Sequence, residues 1–390
     1  MSWPVVKLGK LVSIKGGGTP SKNVDEYWNG SIPWASVKDI KTRILQSTVD
    51  SITQEGVDNS ATNIIPKGTI IIPTRMALGK VAITGCNLAI NQDLKALFIN
   101  DVAVVDRDYL ARFIESRAGY IEGEGKGATV KGITLDFLKS IEIPLPPIAE
   151  QKRIAAILDK ADAIRQKRQQ AIKLADEFLR SVFLEMFGDP VTNPKGFPVS
   201  KLGENCEDLF LGLTSKVDYI DGKDGYPLVR AKDINTGELS FSDVKYISEV
   251  QHKKLTKNHL TQKGDLLVSK SGTLGTCAIV RTDKEFSTYE SIFTVRPNTS
   301  KINIHYLIHL LQNRSFKQKL IGNKVGGTVS HLNLKMFRDF EIGIPPILIQ
   351  EHFSKKIQKC EMKLDKYRQS SEAANDFFNS LSQKAFSGQL

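Results

Sequence analysis

The sequence predicts a mixed α/β (α+β) protein built as a pseudo-twofold tandem repeat, in which two globular domains are separated and braced by two long helices. Three observations predict this fold: a helical pattern without Gly or Pro follows Pro146-Pro147, a second such pattern lies 199 residues downstream, and the β-rich segments also repeat. We expect globular domains at 1–146 and 189–344, with long helices at 147–188 and 345–390. The two helices are predicted to pair as an antiparallel coiled coil.

The first domain combines short strands with at least one helix. β-rich runs at 69–72, 81–83 and 97–99 are divided by Gly, Pro and Asn, which are typical of turns. A helix is predicted from Asp106 to about Ser116, because its apolar residues fall on one helical face. This combination of strand-like and helix-like hydrophobic patterns is the basis for the predicted α/β class.

The first long helix has clear start and stop signals. Pro146 and Pro147 open it, and Gly188 closes it with a residue that tolerates a left-handed cap. Apolar residues between them alternate in steps of four and three, as in a coiled coil, and Arg165 and Arg168 interrupt this seam midway. Roughly 40 residues at about 1.5 Å each make a helix of about 60 Å. The predicted seam residues are Ile154, Leu158, Ala161, Ile172, Leu179 and Val182.

The second long helix repeats the first in phase, length and entry. It also begins with two prolines, Pro345 and Pro346. Adding 199 to the number of a first-helix seam residue gives a second-helix seam residue, so that Ile154 corresponds to Phe353. The predicted seam residues of this helix are Phe353, Ile357, Leu364, Tyr367, Phe378 and Leu381.

The second globular domain follows the plan of the first. Segment 32–40 (IPWASVKDI) matches 226–234 (YPLVRAKDI) at an offset of 194, and segment 127–130 matches 326–329 at an offset of 199. The offset only grows along the chain, as small loop insertions after a duplication would make it do. The whole chain is therefore predicted to be a duplication of domain plus helix.

Composition limits the class of protein. The chain has 390 residues, of which 41% are hydrophobic and 25% charged, values ordinary for a globular protein. We expect a cytoplasmic protein without a membrane partner, because no apolar run is long enough to span a bilayer and the first residues do not form a signal peptide. The four cysteines lack a Cys-x-x-Cys pair, which argues against a structural zinc site or a disulfide framework. A net charge of +11 suits a polyanionic partner such as nucleic acid.

Several motifs together resemble the specificity subunit of type I restriction-modification systems. They are the junction IPLPPIAEQKRIAAILD at 143–159, the helix end FLRSVFLEMFGDP at 178–190, and the segments GGGTPSK at 16–22, IPWASVKDI at 32–40 and GATVKGI at 127–133. The resemblance covers essentially the full chain. It implies that each globular domain is a target-recognition domain that reads one half of a bipartite, asymmetric DNA sequence. It also implies that the helices fix the spacing between the half-sites and dock the modification and restriction subunits.

The same resemblance implies a non-catalytic chain of a prokaryotic cytoplasm. Its partners would be double-stranded DNA, two modification (methyltransferase) subunits and restriction (translocase and nuclease) subunits. This chain would bind no cofactor, with S-adenosylmethionine, ATP and Mg in the partner subunits. The sequence agrees, because it contains neither a GK[ST] phosphate-binding motif nor an amino-methyltransferase motif. His305 and His309 share one helix face, but their apolar neighbours favour a structural helix over a metal site.

A second hypothesis remains open from the sequence. The chain could be a stand-alone two-domain DNA-binding or adaptor protein that forms a homodimer through its coiled coil. Stoichiometric co-purification with a methyltransferase would favour the specificity subunit, whereas a stable, sequence-specific homodimer would favour the adaptor.

The candidate DNA-contacting residues are basic, hydroxyl or aromatic side chains in loops, many of them beside glycines. Arg and Lys suit guanine edges and phosphates, and small hydroxyls allow a close backbone approach. We expect base readout where the two copies differ, as at Arg75 and Ser271, whereas Asp39 and Asp233 should brace a turn. The first-domain candidates are Lys15, Thr19, Ser21, Lys22, Trp34, Lys38, Arg75, Lys80, Lys126, Thr129 and Lys131. The second-domain candidates are Thr214, Ser215, Lys216, Arg230, Lys232, Lys270, Ser271, Lys324, Thr328, Ser330 and His331.

Overall fold

A computed structural model describes residues 3–127, 130–212, 217–221, 224–235, 237–270, 275–322 and 332–390. The chain divides into two units. The first comprises Met1–Gln170 together with Gln369–Leu390, and the second comprises Ala171–Arg368. Each long helix therefore contributes one part to the first unit and the other part to the second.

The first unit is a mixed α/β structure in which short strands precede the first long helix. Its strands are β1 (Val5–Lys7), β2 (Val12–Gly16), β3 (Trp28–Ala35), β4 (Ile44–Leu45), β5 (Asp50–Ile52), β6 (Ile64–Ile65), β7 (Ile70–Pro73), β8 (Ala82–Thr84), β9 (Leu88–Ile90), β10 (Leu94–Ile99) and β11 (Glu142–Pro144). Its helices are α1 (Leu8–Leu11), α2 (Gln54–Asp58), α3 (Arg107–Ser116), α4 (Ala118–Gly123), α5 (Leu135–Ser140) and the start of α6 (Ile148–Phe187).

Two sheets form the body of the first unit. One has the strand order β2-β10-β7-β8-β4 and the other β5-β3-β9-β6, while β1 pairs with β11. Strand β7 is buried on both faces: Ile70 and Ile72 pack in the core that contains α3, and Ile71 packs in a second core with Ile90. This follows from the alternation of side chains along a strand. A continuous apolar run in the sequence therefore marks a strand covered on both sides.

The second unit contains an equivalent set of elements. Its strands are β12 (Val199–Lys201), β13 (Cys206–Leu211), β14 (Tyr219–Ile220), β15 (Tyr226–Val229), β16 (Ile234–Asn235), β17 (Glu238–Leu239), β18 (Lys245–Ile247), β19 (Leu266–Ser269), β20 (Cys277–Ile279), β21 (Ser287–Thr288), β22 (Ile292–Pro297) and β23 (Glu341–Gly343). Its helices are α7 (Glu249–Thr256), α8 (Ile304–Gln312), α9 (Arg314–Ile321), α10 (Leu334–Arg338) and the start of α11 (Ile347–Ser387).

The predicted mixed α/β fold and tandem repeat are confirmed. The order β13-β22-β19-β20 reproduces β2-β10-β7-β8, and β12 pairs with β23 as β1 pairs with β11. A buried tyrosine ties each copy together in the same way. The hydroxyl of Tyr109 donates to the carbonyl of Pro144, and that of Tyr306 to the carbonyl of Gly343, each at 2.7 Å.

The two long helices run antiparallel where they meet inside each unit, as the seam predicts. In the first unit Ile154 shares a buried cluster with Ala385, and the Arg165 guanidinium lies 4.7 Å from the centre of the Phe378 ring. In the second unit the rings of Phe187 and Phe353 lie 5.2 Å apart. Early residues of α6 thus meet late residues of α11, and the reverse holds in the second unit.

The seam differs from a self-contained coiled coil in one respect. Its buried residues also pack on the globular cores: Leu158 lies in the cluster with Phe113, and Leu179 in the cluster with Tyr306. Tyr367, which the spacing placed in the seam, has a side chain that is 42% exposed. In the same middle stretch the helices meet through polar groups, since Arg168 donates to the carbonyl of Ser370 at 2.9 Å. Two heptad positions of α6 in this stretch carry arginine, Arg165 and Arg168, in place of an apolar residue.

Candidate nucleic-acid interface

The glycine-rich loop of the first unit lies close against the backbone after β9. Gly18 N donates to Ile90 O at 3.0 Å. A Cβ atom on Gly17 would lie only 1.9 Å from Ile90 O, and one on Gly18 would lie 2.6 Å from the carbonyl carbon of Ala61. These positions therefore require glycine because no side chain fits, and the loop is fixed by its neighbours.

Trp34 supports this loop from inside the unit, and its side chain is buried. Its side chain is only 5% exposed, and its indole N–H donates to Gly18 O at 3.1 Å. Its ring packs edge-on against Trp28, whose indole N–H donates to Ser21 O at 3.0 Å. The ring fills a small core beside Ile52, which gives Trp34 a structural role that the sequence did not predict.

Thr19, next to the glycine-rich loop, contacts the turn between β9 and β10. The Thr19 hydroxyl donates to the side-chain oxygen of Gln92 at 2.5 Å. Gln92 is exposed, whereas Asn91 and Asp93 on either side of it are buried. Lys95 also stabilises the turn, because its ammonium group donates to Gln92 O at 2.5 Å. Burial lowers the pKa of the Lys95 amine. Gln92 was not among the predicted candidates, although a polar Asn-Gln-Asp run between two strands was a signal for it.

Three predicted basic residues come together beside this turn. Lys126 and Gly132 exchange two backbone hydrogen bonds of 2.9 Å, and Met76 N donates to Lys131 O at 3.0 Å. Arg75 forms a backbone bridge with Gly132. The side chains of Arg75, Lys126 and Lys131 are all exposed, and the Arg75 guanidinium lies 3.8 Å from Asp93. The loops thus gather Thr19, Gln92, Arg75 and the two lysines along one edge of the domain.

Lys38 and Lys232 have the same ion-pair arrangement in both units. Lys38 Nζ lies 2.7 Å from Asp50, and this hydrogen bond raises the pKa of the lysine. Lys232 pairs with Asp243 in the equivalent turn. A side chain that is already paired and common to both copies suits a phosphate contact or a brace better than base readout.

The predicted bracing role of Asp39 and Asp233 is confirmed. The carboxylate of Asp39 accepts from Ser36 N, and that of Asp233 accepts from Arg230 N, each at 2.8 Å. Each aspartate therefore caps the short turn that follows a strand.

The remaining first-unit candidates are exposed but dispersed. Lys15 projects from β2, with its ammonium 5.5 Å from the centre of the Phe98 ring. Ser21, Lys22 and Lys80 have exposed side chains in loops. The contacts described above bring none of these four residues into the edge defined by Gln92 and Arg75.

The second unit builds the same turn with different side chains. Tyr289 N donates to Val229 O at 2.9 Å, as Asn91 N donates to Ala35 O at 2.9 Å. Glu290 therefore stands where the first unit has Gln92, and it too is exposed. Lys270 N donates to Ser291 O at 2.8 Å, which places this lysine beside the turn, while Arg230 is partly buried. The candidates Thr129, Thr214, Ser215, Lys216, Ser271, Lys324, Thr328, Ser330 and His331 lie outside the described residues.

One buried glutamine fixes the start of each long helix to its domain, Gln151 for α6 and Gln350 for α11, a role that was not predicted from the sequence. Gln151 accepts from Asp106 N at 2.8 Å and donates to Val104 O at 3.0 Å and Pro146 O at 2.9 Å. Gln350 repeats this pattern, accepting from Asn303 N at 2.8 Å. The repeated Pro-Pro and Gln spacing was the available signal.

The long helices also expose apolar side chains at equivalent positions. Phe178 on α6 is 50% exposed, and Phe377, which lies 199 residues further on α11, is 63% exposed. The duplication therefore places an exposed aromatic ring at the same position of each long helix.

Two other kinds of site are not found in the part of the chain that the structure describes. No group of three His, Cys, Asp or Glu residues there could hold a metal ion. No helix among the described residues combines the length and apolar character needed to cross a bilayer.

Comparison with known proteins gives a consistent result. The profile of the family described as type I restriction modification DNA specificity domain matches residues 1–174 and 194–372. The type I restriction enzyme MjaIX specificity subunit of Methanocaldococcus jannaschii is 26% identical over 384 residues, covering 93% of this chain and 87% of the relative. The EcoR124I/EcoR124II specificity subunit of Escherichia coli is 42% identical over 164 residues, 40% of each chain. The crystal structure of a type I restriction-modification S subunit from M. genitalium has a similar fold, with a TM-score of 0.63 at 16% identity over 99% of this chain and 96% of that one.

Proposed function

Because the chain belongs to the type I restriction modification DNA specificity domain family, as a specificity subunit with two target-recognition domains, we propose how its residues recognise DNA. Each domain reads one half of a bipartite, asymmetric target. The observation that carries this proposal is the turn built identically in both units but occupied by Gln92 in one and Glu290 in the other. The same backbone turn that presents a different side chain in each unit is suited to reading two different half-sites.

Gln92 and Glu290 are the base-reading candidates on this turn. A glutamine side chain can pair with adenine through its amide, whereas a glutamate accepts a hydrogen bond from the amino group of cytosine. Thr19 orients Gln92 through the 2.5 Å hydrogen bond to its side-chain oxygen. The amide nitrogen of Gln92 has no partner among the described residues and remains available as a donor.

The basic residues beside the turn supply phosphate contacts and further readout. Arg75, Lys126 and Lys131 are exposed and close together. Arginine can contact guanine or phosphate, while lysines neutralise the backbone and make the affinity salt-dependent. On this proposal Arg75 contributes specificity and the two lysines contribute affinity.

The chain acts as a recognition and assembly subunit rather than as an enzyme. We propose that it docks two modification subunits and the restriction subunits, and that S-adenosylmethionine, ATP and Mg bind to those partners in a prokaryotic cytoplasm. The exposed Phe178 and Phe377 support two equivalent docking positions, one for each modification subunit. The homodimer hypothesis is less well supported, because the chain fills its own seam, with Phe353 packed on Phe183 and Phe187.

Methylome sequencing of the native cell, with the gene intact and deleted, tests this function. We expect an interrupted, asymmetric adenine-methylation motif to disappear on deletion and to return when the gene is restored. A matched pair of restored variants, Gln92→Ala and Glu290→Ala, should each change a different half of that motif. An unchanged methylome in cells that express the protein would contradict the proposal.

A further inference from the structure

A cavity of about 790 Å³ lies within the second unit. Its walls come from residues 176–184 of α6, from α8 and α9, from β20 and from residues 361–368 of α11. A volume of this size is common among sites for small molecules. The residues that form the turn at Glu290 are not among those that line the cavity, so the recognition of DNA bases does not explain it.

The acidic side chains of this cavity already have donors within the unit. Four carboxylates line it, and each accepts a hydrogen bond or forms an ion pair. Asp176 lies 2.9 Å from Arg368, Asp365 lies 3.3 Å from Arg281, Glu361 lies 2.9 Å from His305 and 3.3 Å from His309, and Asp189 accepts from the Ser315 hydroxyl at 2.5 Å and from Val191 N at 2.8 Å.

Three cations of the lining have no such partner. Among the described residues, no carboxylate oxygen lies within 4.0 Å of the charged nitrogen atoms of Arg180, Arg314 or Lys317. Lys317 is half-buried, because its aliphatic chain passes over Gly275. Burial lowers the pKa of its amine, and the positive charge of Arg180 lowers it further. Unpaired positive charges facing a partly enclosed space would be stabilised by a bound anion.

The equivalent cavity of the first unit has fewer cations without a carboxylate partner among the described residues. It measures about 510 Å³ and contains Arg117 at the position of Arg314, 197 residues earlier. Tyr120 replaces Lys317 at the same offset, and Asn379 occupies the position of Arg180 at an offset of 199. The buried Arg112 of that cavity is neutralised by Asp159, Asp162 and Glu115. The duplication therefore supplies an internal comparison: among the described residues, three cations of the second cavity lack a carboxylate partner, whereas in the first cavity only Arg117 does.

We propose that the cavity of the second unit binds a phosphate-bearing anion through Arg180, Arg314 and Lys317. Guanidinium and ammonium groups are the side chains that bind phosphoryl oxygen most strongly, through charge-assisted hydrogen bonds. The phosphoryl group comes from a free compound such as a nucleotide or from the DNA backbone, and the site recognises the chemistry that these sources share. This inference does not rest on how the turns read DNA bases.

Titration of inorganic tripolyphosphate into the purified full-length chain tests the site by calorimetry at constant ionic strength. We expect saturable binding at one site per chain. Arg180→Gln combined with Lys317→Met should weaken it at least about tenfold, since one charge-assisted hydrogen bond contributes roughly 1.5–3 kcal/mol and about 1.4 kcal/mol corresponds to a factor of ten. Arg314→Gln, which changes only an exposed side chain, provides a second variant if the first does not fold.

The first unit provides the matched control. Arg117→Gln removes the equivalent of Arg314 and should leave tripolyphosphate affinity unchanged. Absence of saturable binding to the wild-type chain would overturn the proposal, as would an equal loss of affinity in Arg117→Gln, because the anion would then respond only to overall charge.

Competition identifies the source of the phosphoryl group. Displacement of tripolyphosphate by short duplex DNA would identify backbone phosphate as the ligand. Displacement by ATP but not by DNA would identify a free nucleotide. Either result supports a phosphate site, and because no methylation is measured, failure of this experiment is distinct from failure of the proposed function.

Discussion

Arg112 and His309 stand at equivalent positions of the two copies and show how one residue type changes the same contact. Arg112 lies 3.1 Å from Asp162 on α6, and His309 lies 3.3 Å from Glu361 on α11. In both units a basic side chain of the globular domain thus contacts a carboxylate on a long helix. The first unit uses a planar guanidinium, which can contact several carboxylates at once, and the second uses an imidazole.

Glu361 leads to a prediction about acid stability. Burial opposes its ionisation, but hydrogen bonds from His305 and His309 outweigh burial and lower its pKa from 4.5 to about 2. A lowered folded-state pKa stabilises the protein above the unfolded value and loses this effect as pH falls towards the folded value. Between pH 4.5 and 2, protonation of Glu361 should reduce the unfolding free energy of the wild-type chain by at most about 3 kcal/mol. We expect the Glu361→Gln variant to lack this part of the pH dependence. Denaturant titrations across this range measure it, and parallel curves for the two proteins would contradict it.

The hydrogen bonds of Gln151 and Gln350 should contribute to the stability of the folded chain. Replacing either by alanine leaves a buried backbone N–H and two carbonyl groups without their partner. We expect each change to cost about 1–3 kcal/mol of unfolding free energy. The control is Gln170→Ala, an exposed glutamine on the same helix, which should change stability by less than about 0.5 kcal/mol. Equal effects of Gln151→Ala and Gln170→Ala would show that the hydrogen bonds do not hold the helix start.

Residue-level roles were the least predictable from the sequence. Trp34 was predicted with Lys38 as a DNA-contacting candidate, but its indole N–H is bonded to Gly18, which lies 16 residues earlier in the sequence. Gln92 was not predicted because it is the single exposed residue of the polar run 91–93, and one exposed residue produces no periodic pattern in the sequence. The loss of Glu150 in the second copy, where Ile349 stands, leaves the helix start unchanged, since Ile349 N still donates to Pro346 O at 2.9 Å.

Elements were predicted better than residues because their signals are periodic. The seam predicted that α6 and α11 pair, and the apolar run at 69–72 predicted strand β7, which the structure shows to be covered on both faces. The pattern could not show that the seam residues are shared with the globular cores. Heptad spacing indicates which helix face is apolar but not what covers that face.

The exposed phenylalanines lead to a prediction about these helices. We expect Phe178→Ser and Phe377→Ser each to weaken binding of a modification subunit by roughly ten- to a hundredfold, since a buried aromatic side chain contributes about 1.5–3 kcal/mol. The control is Lys167→Ser, an exposed polar position on α6. Binding is measured by surface-immobilised titration, with circular dichroism to verify the fold. Unchanged affinity in both phenylalanine variants would remove this surface as the docking site.

For the whole molecule, helix length should set the distance between the two halves of the target. Removing seven residues from the middle of α6 and seven from the middle of α11 shortens each helix by about 10 Å, or roughly three base pairs. We expect the methylation motif to keep both half-sites while its spacer shortens by that amount. Methylome sequencing measures the spacer. Retention of the original spacer by a stable, active variant would refute this role.

The division of the chain has a consequence for its synthesis. The last segment, Gln369–Leu390, completes the first unit, where Phe386 packs edge-on against Tyr109 and Phe113 at 5.4 and 5.2 Å. A ribosome adds roughly 5–20 residues per second, so the nascent first unit waits roughly 10–40 s for the helix that covers these aromatic rings. The unit translated first is thus the last to finish folding, and any premature termination after Gln170 leaves its core open to chaperones and proteases.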